Sequence, residues 1–485
     1  MRARTPPDLK SVPLFLFVWF MLGTMSSRAG QVGPNHEGGN AGYREQCNSA
    51  TPQAAIAACT RIIDDKRENS ESRAMALQNR AYYYQAIGEI DHSIADYTRV
   101  SAVSGGRSFK AKIYSNLGLL YEQKGDQDQA LTSYGEAVKL DPKLASAYVN
   151  RAAIFIKRED KDRAIADLDR AVLLTPKDSE IYISRGSVYA HSGDQDQAIA
   201  DFSTSIALNP TNALAWRDRG VAYRAKGDNG NAMSDATEAI RLQPNAADAH
   251  LDLGLGLQET GDPKGALSEF SKAIELNPGD AQAFKARGDE YVAQGDPDRA
   301  ITDFSQAIAL DPRATGAYMN RGAAYLGKSE WGKAIPDFSQ VIALDSTQFA
   351  AYLNRGQAYR MSGNEDRAIA DFDQAVRIKP DAADAYLQRA FLRQKHGDNA
   401  GAIDDYNRAI ALKPDDAQAI RGRGYARLSQ HEYDRAIDDL SAAIALNPKD
   451  ALAFRFRSSA YTAKKDFKRA NNDDLKARQL APTVR

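Results

Sequence analysis

The sequence predicts an all-α solenoid of antiparallel helix pairs, and three observations carry that reading. Prolines Pro142, Pro176, Pro210, Pro244, Pro278 and Pro312 fall on one 34-residue lattice, which resumes at Pro380, Pro414, Pro448 and Pro482 with Ser346 in the single gap. Glycine keeps the same beat at Gly186, Gly220, Gly254, Gly288, Gly322 and Gly356. Within a period the apolar residues recur at helical spacing, as Tyr182, Gly186 and Tyr189 and then Ala198, Phe202 and Ile206, the pattern of two amphipathic segments.

Each period therefore reads as a helical hairpin. A turn such as Gly193-Asp194 or Gly295-Asp296 separates the helices, and Asn-Pro or Asp-Pro closes the second one, because proline disfavours α conformation in the residue before it. Small residues such as Ala198, Ala300 and Ala436 recur where two helix axes must come close. One hairpin cannot bury its own apolar stripe, so neighbours stack and share a continuous core.

With proline numbered as position 32, one unit runs from 145 to 178. Aromatics then stand at positions 4, 11 and 24 and small residues at 8, 20 and 27. This pattern resembles the tetratricopeptide repeat family over about 51–485. The resemblance implies a right-handed superhelix whose groove binds proteins or peptides.

The lattice divides the chain into residues 111–484 with eleven contiguous units, a first full unit at 74–110 with a short insertion at Gly105, Gly106 and Arg107, and an N-terminal segment at 30–73 whose residues 51–65 match only the second half of a unit. Residues 1–29 read as an export signal. Arg2, Arg4 and Lys10 precede an apolar run at 12–22, and Ser27-Arg28-Ala29 offers small residues for cleavage. That run is shorter than the roughly 20 residues a membrane-spanning helix requires, so no integral span is expected after cleavage. The alternative is that the run is kept as an anchor. The expected location is the periplasm of a bacterial envelope or the exterior. There the two cysteines, Cys47 and Cys59, could form a disulfide; two buried free thiols are the alternative.

The net charge of −1 with 26% charged residues gives no basic excess, and nucleic acid is not an expected partner. At position 7, where the family usually carries leucine, this chain has Arg80, Arg151, Arg185, Arg219, Arg287 and Arg321, continuing through Arg355, Arg389, Arg423 and Arg457. Carboxylates recur nearby, from Asp96 and Asp167 through Glu269 to Asp439. A structural ladder of ion pairs is expected, with hydrated heads and about 0 to 1 kcal/mol per pair.

Gly322, Gly327, Lys328 and Ser329 satisfy the phosphate-loop pattern. That chemistry needs a strand feeding a glycine-rich loop that opens into a helix, whereas Gly322 lies in mid-helix and Gly327 to Ser329 form the turn between helices. Nucleotide binding is therefore the lesser alternative. Gly254-Leu-Gly256 lacks the third glycine of a dinucleotide loop. The histidines form no HExxH pair, and Asp126-Gln127-Asp128 and Asp194-Gln195-Asp196 lack calcium-loop spacing. No catalytic centre, metal or cofactor is expected.

On the first helix, positions 4, 8 and 11 face the core. Positions 2, 5, 9 and 12 form a stripe about 120° away, which in the family lines the groove. Here the stripe supplies Arg217, Arg224, Lys285, Asp289 and Arg360, then Phe391, Arg421 and Tyr425, with Asp218 and Asp252 at position 6. A groove of mixed charge with aromatic anchors toward its C-terminal part follows, open to protein or peptide partners. The lysine and asparagine clamp by which some family members hold chaperone C-termini is not matched in any consecutive units. Two departures remain. The unit at 315–348, with Pro336 inside its second helix, predicts a kink that divides the array. Asn471 and Asp474 replace apolar residues in the last unit, as a terminal repeat facing water requires. An adaptor outside the cytoplasm is the reading these features favour, with a membrane-tethered envelope assembly factor as the alternative.

Overall fold

The computed structural model describes residues 41–481 apart from Ala50 and Ser104, so the export-signal expectation lies outside the described residues. Twenty-six helices and no strand occur among the described residues, an all-α repeat fold. The chain forms two compact units, one ending at Thr260 and the other beginning at Gly261.

A representative hairpin consists of helices Ala145–Lys157 and Lys161–Leu174. The second helix starts where it does because position 16 is a capping carboxylate. Asp160 accepts from the backbone N–H of Arg163, Asp194 from Gln197 and Asp296 from Arg299, satisfying donors that a helix start leaves open. Asp126 does the same toward Gln129, so the Asp-Gln-Asp tracts are caps.

Position 15 reverses the chain with positive φ. Glycine fills it eight times, but Glu159, Ser329, His431 and Lys465 adopt φ of 58°, 61°, 64° and 64°. A side chain there costs roughly 1 kcal/mol. The unit at 315–348 combines this strain with Glu330, whose side chain makes no capping bond. Ser329→Gly with Glu330→Asp should therefore raise the stability of that hairpin by about 2 kcal/mol in urea melts, one from the turn and one from the cap. Unchanged or lower stability would contradict both arguments.

The core of most hairpins is a large side chain at position 24 seated against a small one at position 8; Ala236 and Asp474 are the departures among units 111–484. Phe202, Phe304, Phe338 and Phe372 are fully buried. A methyl added at Gly186, Gly288, Gly322 or Gly356 would come within 3 Å of the facing ring, closer than core packing tolerates. Gly322 thus serves helix packing inside Thr315–Gly327.

One expectation is filled in and two need correction. Residues 51–65, which match only the second half of a unit, gain a shortened first half: the helix Ala41–Ser49 packs on Pro52–Asp64, giving a short hairpin across which Cys47 and Cys59 are bonded. The signal for it was Tyr43 and Cys47, four residues apart, both joined to the N-terminal core.

Pro336 does not divide the array. Helix Trp331–Leu344 runs unbroken through it at the same 14 residues as Pro297–Leu310 and Glu365–Ile378, inside the compact unit that starts at Gly261. The donor that proline lacks would have reached the carbonyl of Gly332, one turn back. Both residues are exposed, so that carbonyl stands on the solvent side of the helix, where losing the bond is least costly.

The arginine ladder is more buried than its sequence suggested. Arg151, Arg185, Arg219, Arg321 and Arg457 each set Nε and one Nη against both oxygens of an aspartate sixteen residues on, at 2.7–2.9 Å. Those aspartates are only 4–7% exposed, and the arginine side chains 17–22%. Asp473, absent from the expected series, belongs to it as the partner of Arg457. The fork on Asp167 holds the Arg151 guanidinium above its ordinary pKa against the opposing effect of burial.

The remaining Nη reaches back to position 25 of the preceding repeat. Arg185 donates to Asp169, Arg219 to Ser203, Arg321 to Ser305 and Arg355 to Ser339. Each of these arginines therefore ties its own hairpin together and stitches it to the one before, whereas Arg151 faces Gly135 at position 25 and, among the described residues, hydrogen-bonds only Asp167.

Candidate interaction surface

Within each unit the first helices of successive hairpins approach one another, as do Ala213–Ala225 with Ala247–Thr260 and Ala417–Ser429 with Ala451–Ala463. They approach more closely than the second helices do, so the first helices line the inner side. Position 9 is their outward point. Gln357, Phe391, Tyr425 and Ser459 are exposed, while their neighbours at positions 8 and 10 are mostly buried.

In the compact unit that ends at Thr260 the structure gathers Arg217, Asp218, Arg224 and Asp252 into one cluster and adds Asp248. Arg217 contacts Asp252 and Asp248 at 3.3 Å and Asp218 at 3.9 Å, and Arg224 meets Asp252 at 3.6 Å. Arg217, Arg224, Asp218 and Asp252 have side chains only 15–20% exposed. Burial pushes the Asp218 carboxyl up to about 6, against the pull of Arg217 and with help from Asp252 and Asp248. Burial raises Asp252 as well, opposed by Arg217 and Arg224. These groups mainly satisfy one another.

In the compact unit that begins at Gly261, Lys285 pairs with Asp289 at 2.8 Å, and Asn320 donates to the other oxygen of Asp289 at 2.5 Å. Arg421 donates to Asp450 at 2.7 Å. Tyr425 stacks on Phe456, with ring centres 4.3 Å apart. Phe391 is 50% exposed and Tyr425 38%. Arg360 stands apart from the other expected residues: it makes no ion pair among the described residues, and its Nε is buried without an acceptor.

The sequence reading missed Asp248, Asn320, Asp450 and Phe456 as members of this surface. Asn320 and Phe456 occupy position 6, which that reading used only for Asp218 and Asp252. Asp450 also caps the helix that follows it, a role that concealed the ion pair.

Lys328 of the phosphate-loop pattern is engaged by Asp298 and Glu330. Lys124 with Asp91, and Lys226 with Asp196, form equivalent pairs between repeats. The lysine thus holds a regular structural place at the end of its helix. Among the described residues, no group of three or more His, Cys, Asp or Glu is arranged to hold a metal ion, and no helix is long and apolar enough to cross a membrane.

Comparison with known families agrees with this architecture. Residues 217–281, 285–348, 324–383, 387–451 and 421–482 match one tetratricopeptide repeat profile. Residues 152–215 match a second tetratricopeptide repeat profile, and 118–158 match a TPR repeat profile. The first of these spans more than half of the chain, and the protein belongs to the tetratricopeptide repeat family. It is a repeat scaffold for protein interaction.

Among solved structures, MamA is 26% identical over 36% of this chain and 94% of its own, with a TM-score of 0.33. YrrB, described as a TPR protein with an unusual peptide-binding site, is 24% identical over 39% of this chain and 97% of its own, with a TM-score of 0.33. A tetratricopeptide repeat protein from Parabacteroides merdae ATCC 43184 is 21% identical over 51% and 98%, with a TM-score of 0.37. No curated protein sequence matches the chain.

Proposed function

We propose that this protein is a non-enzymatic adaptor that works outside the cytoplasm and holds peptide or protein partners on the inner face of its first helices. The observation that carries the reading is the exposure of Phe391 and Tyr425 on that face. Large aromatics left half-open on a regular helical surface are the residue types that anchor interfaces. The location rests on the basic and apolar pattern of residues 1–29 and is supported by a disulfide between Cys47 and Cys59, a bond that persists in oxidising compartments.

Site-specific photo-crosslinking in the bacterial envelope tests both parts. A crosslinker at Tyr425 should capture discrete partners from the envelope fraction, and one at Leu173, 73% exposed on a second helix, should capture few. Equal capture from both positions would remove the first-helix face from the reading. Recovery of the chain in the cytoplasm alone would remove the location.

A further inference from the structure

Positions 5, 6, 9 and 12 of the four repeats that begin at Phe349, Ala383, Ala417 and Ala451 contain no aspartate or glutamate, but include Arg360, Arg421 and Arg455. The same positions of the four preceding repeats carry Asp218, Asp252 and Asp289 against Arg217, Arg224 and Lys285. At these positions one half of the stripe is balanced and the other is basic, apolar and rich in amides; position 2 adds one carboxylate to the second half, Asp384, which is taken up by Lys413 at 2.7 Å. In that second half Arg421 already has Asp450, while Arg360 has no carboxylate and an Nε without an acceptor. A guanidinium donor left unsatisfied at a partly buried place is destabilised until something supplies an oxygen.

The aromatic part lies next along the array. Position 9 of one repeat meets position 6 of the next, as Asp289 meets Asn320 and Tyr425 meets Phe456. By the same geometry Phe391 borders Gly422. A methyl at Gly422 would strike the Tyr406 ring, so position 6 holds no side chain here and the buried Tyr406 ring lies directly behind Gly422. Tyr406 is held there by a hydrogen bond to Gln394 at 3.0 Å, and Gln394 in turn donates to the Gly422 carbonyl at 3.2 Å. Position 12 likewise meets position 6 of the next repeat, as Arg224 meets Asp252. This places Arg360 beside Gln388, one helical turn from Phe391.

We infer that this part of the first-helix face recognises an acidic peptide segment carrying an aromatic or large aliphatic side chain. A ligand carboxylate meets Arg360, and the apolar side chain lies over Gly422, between Phe391 and Tyr425. Amides such as Gln357 and Gln388 meet the ligand main chain. A nucleic acid fits less well, because a polyanion is held by many cations, and on this stripe Arg217, Arg224, Lys285 and Arg421 are already paired with carboxylates. The inference rests on the adaptor reading and adds its ligand chemistry.

The test is selection from a random dodecapeptide phage library on the full chain, with a twenty-nucleotide oligothymidine as a second probe. Enriched peptides should combine Asp or Glu with an aromatic or leucine residue. Their affinity, read by fluorescence anisotropy, should fall about tenfold or more in Arg360→Gln and in Phe391→Ala, with unchanged melting curves. Affinity should persist in Leu173→Ala. Enrichment of basic peptides, binding indifferent to both substitutions, failure to enrich any peptide, or tighter binding of the oligonucleotide would each overturn the inference. If Tyr425 still captures envelope partners by crosslinking in those cases, only the ligand chemistry has failed. If it captures none, the adaptor reading has failed with it.

Discussion

Arg321→Ala is expected to destabilise its region by about 3 kcal/mol, several times what a surface ion pair contributes. The guanidinium donates twice to Asp337, at 2.9 and 2.7 Å, and once to Ser305 at 3.0 Å. Asp337 is 4% exposed, so truncating the arginine leaves a desolvated carboxylate without its counterion and also cuts the tie to the preceding hairpin. The lower end of the range for buried pairs is appropriate because the Arg321 side chain is 19% exposed.

The chain itself supplies the control. Its repeat at 111–144 carries Leu117 and Ser133 at the two ladder positions, 4% and 6% exposed, and does without the ion pair. Arg321→Leu combined with Asp337→Ser should therefore recover most of the loss, since replacing both members of a buried pair is far less costly than removing one. Hydrogen exchange along the array is the suitable readout, because solenoids unfold repeat by repeat. A single substitution costing under 0.5 kcal/mol, or a double variant no better than the single, would show that the pairs are incidental.

Loss of the Cys47–Cys59 bond should cost about 3 kcal/mol locally, the chain-entropy value for a loop of this length, with separation 12. Both cysteines are fully buried and belong to the N-terminal core with Ile62, Leu77 and Tyr97. Without the bond, helix Ala41–Ser49 keeps the ion pair in which one Nη of Arg44 donates to both oxygens of Glu68 at 2.8 Å, and the bond from Asn79 to Asn48 at 2.7 Å. A nine-residue helix has little stability of its own. Cys47→Ser with Cys59→Ser, or reduction of the native chain, should therefore strip hydrogen-exchange protection from Ala55, Ile62 and Ile63 while leaving the repeats beyond Arg107 unchanged. Retained protection would mean that packing alone holds the helix.

The repeat phase and most helix boundaries were legible in the sequence. Ala145–Lys157 and Lys161–Leu174 lie where the proline lattice and the Gly-Asp turn place them, and Gly322 with Phe338 occupies the expected core register. The shortened hairpin at Ala41–Ser49 was not legible as a repeat, because so short a helix shows only one apolar step, from Tyr43 to Cys47. The unbroken course of Trp331–Leu344 through Pro336 was also misjudged. Sequence marks the missing donor, but whether the orphaned carbonyl faces water depends on which side of the helix is exposed.

The candidate surface was legible by position and not by partnership. Phe391, Tyr425 and Arg360 were placed on the stripe by helical periodicity alone. That Arg217 and Arg224 are consumed by Asp252, while Arg360 has no such carboxylate, depends on contacts 28 to 35 residues apart, where one repeat meets the next.

By itself the sequence determined the fold class and the phase of the repeat, because those follow from local rules: apolar residues at helical spacing, residues that tolerate a turn, and prolines that end a helix. The tertiary structure alone decided which charges are buried and which of the stripe's cations are paired with carboxylates. Those properties arise only when hairpins stack, since desolvation and ion pairing depend on distances between repeats that a periodic pattern does not encode.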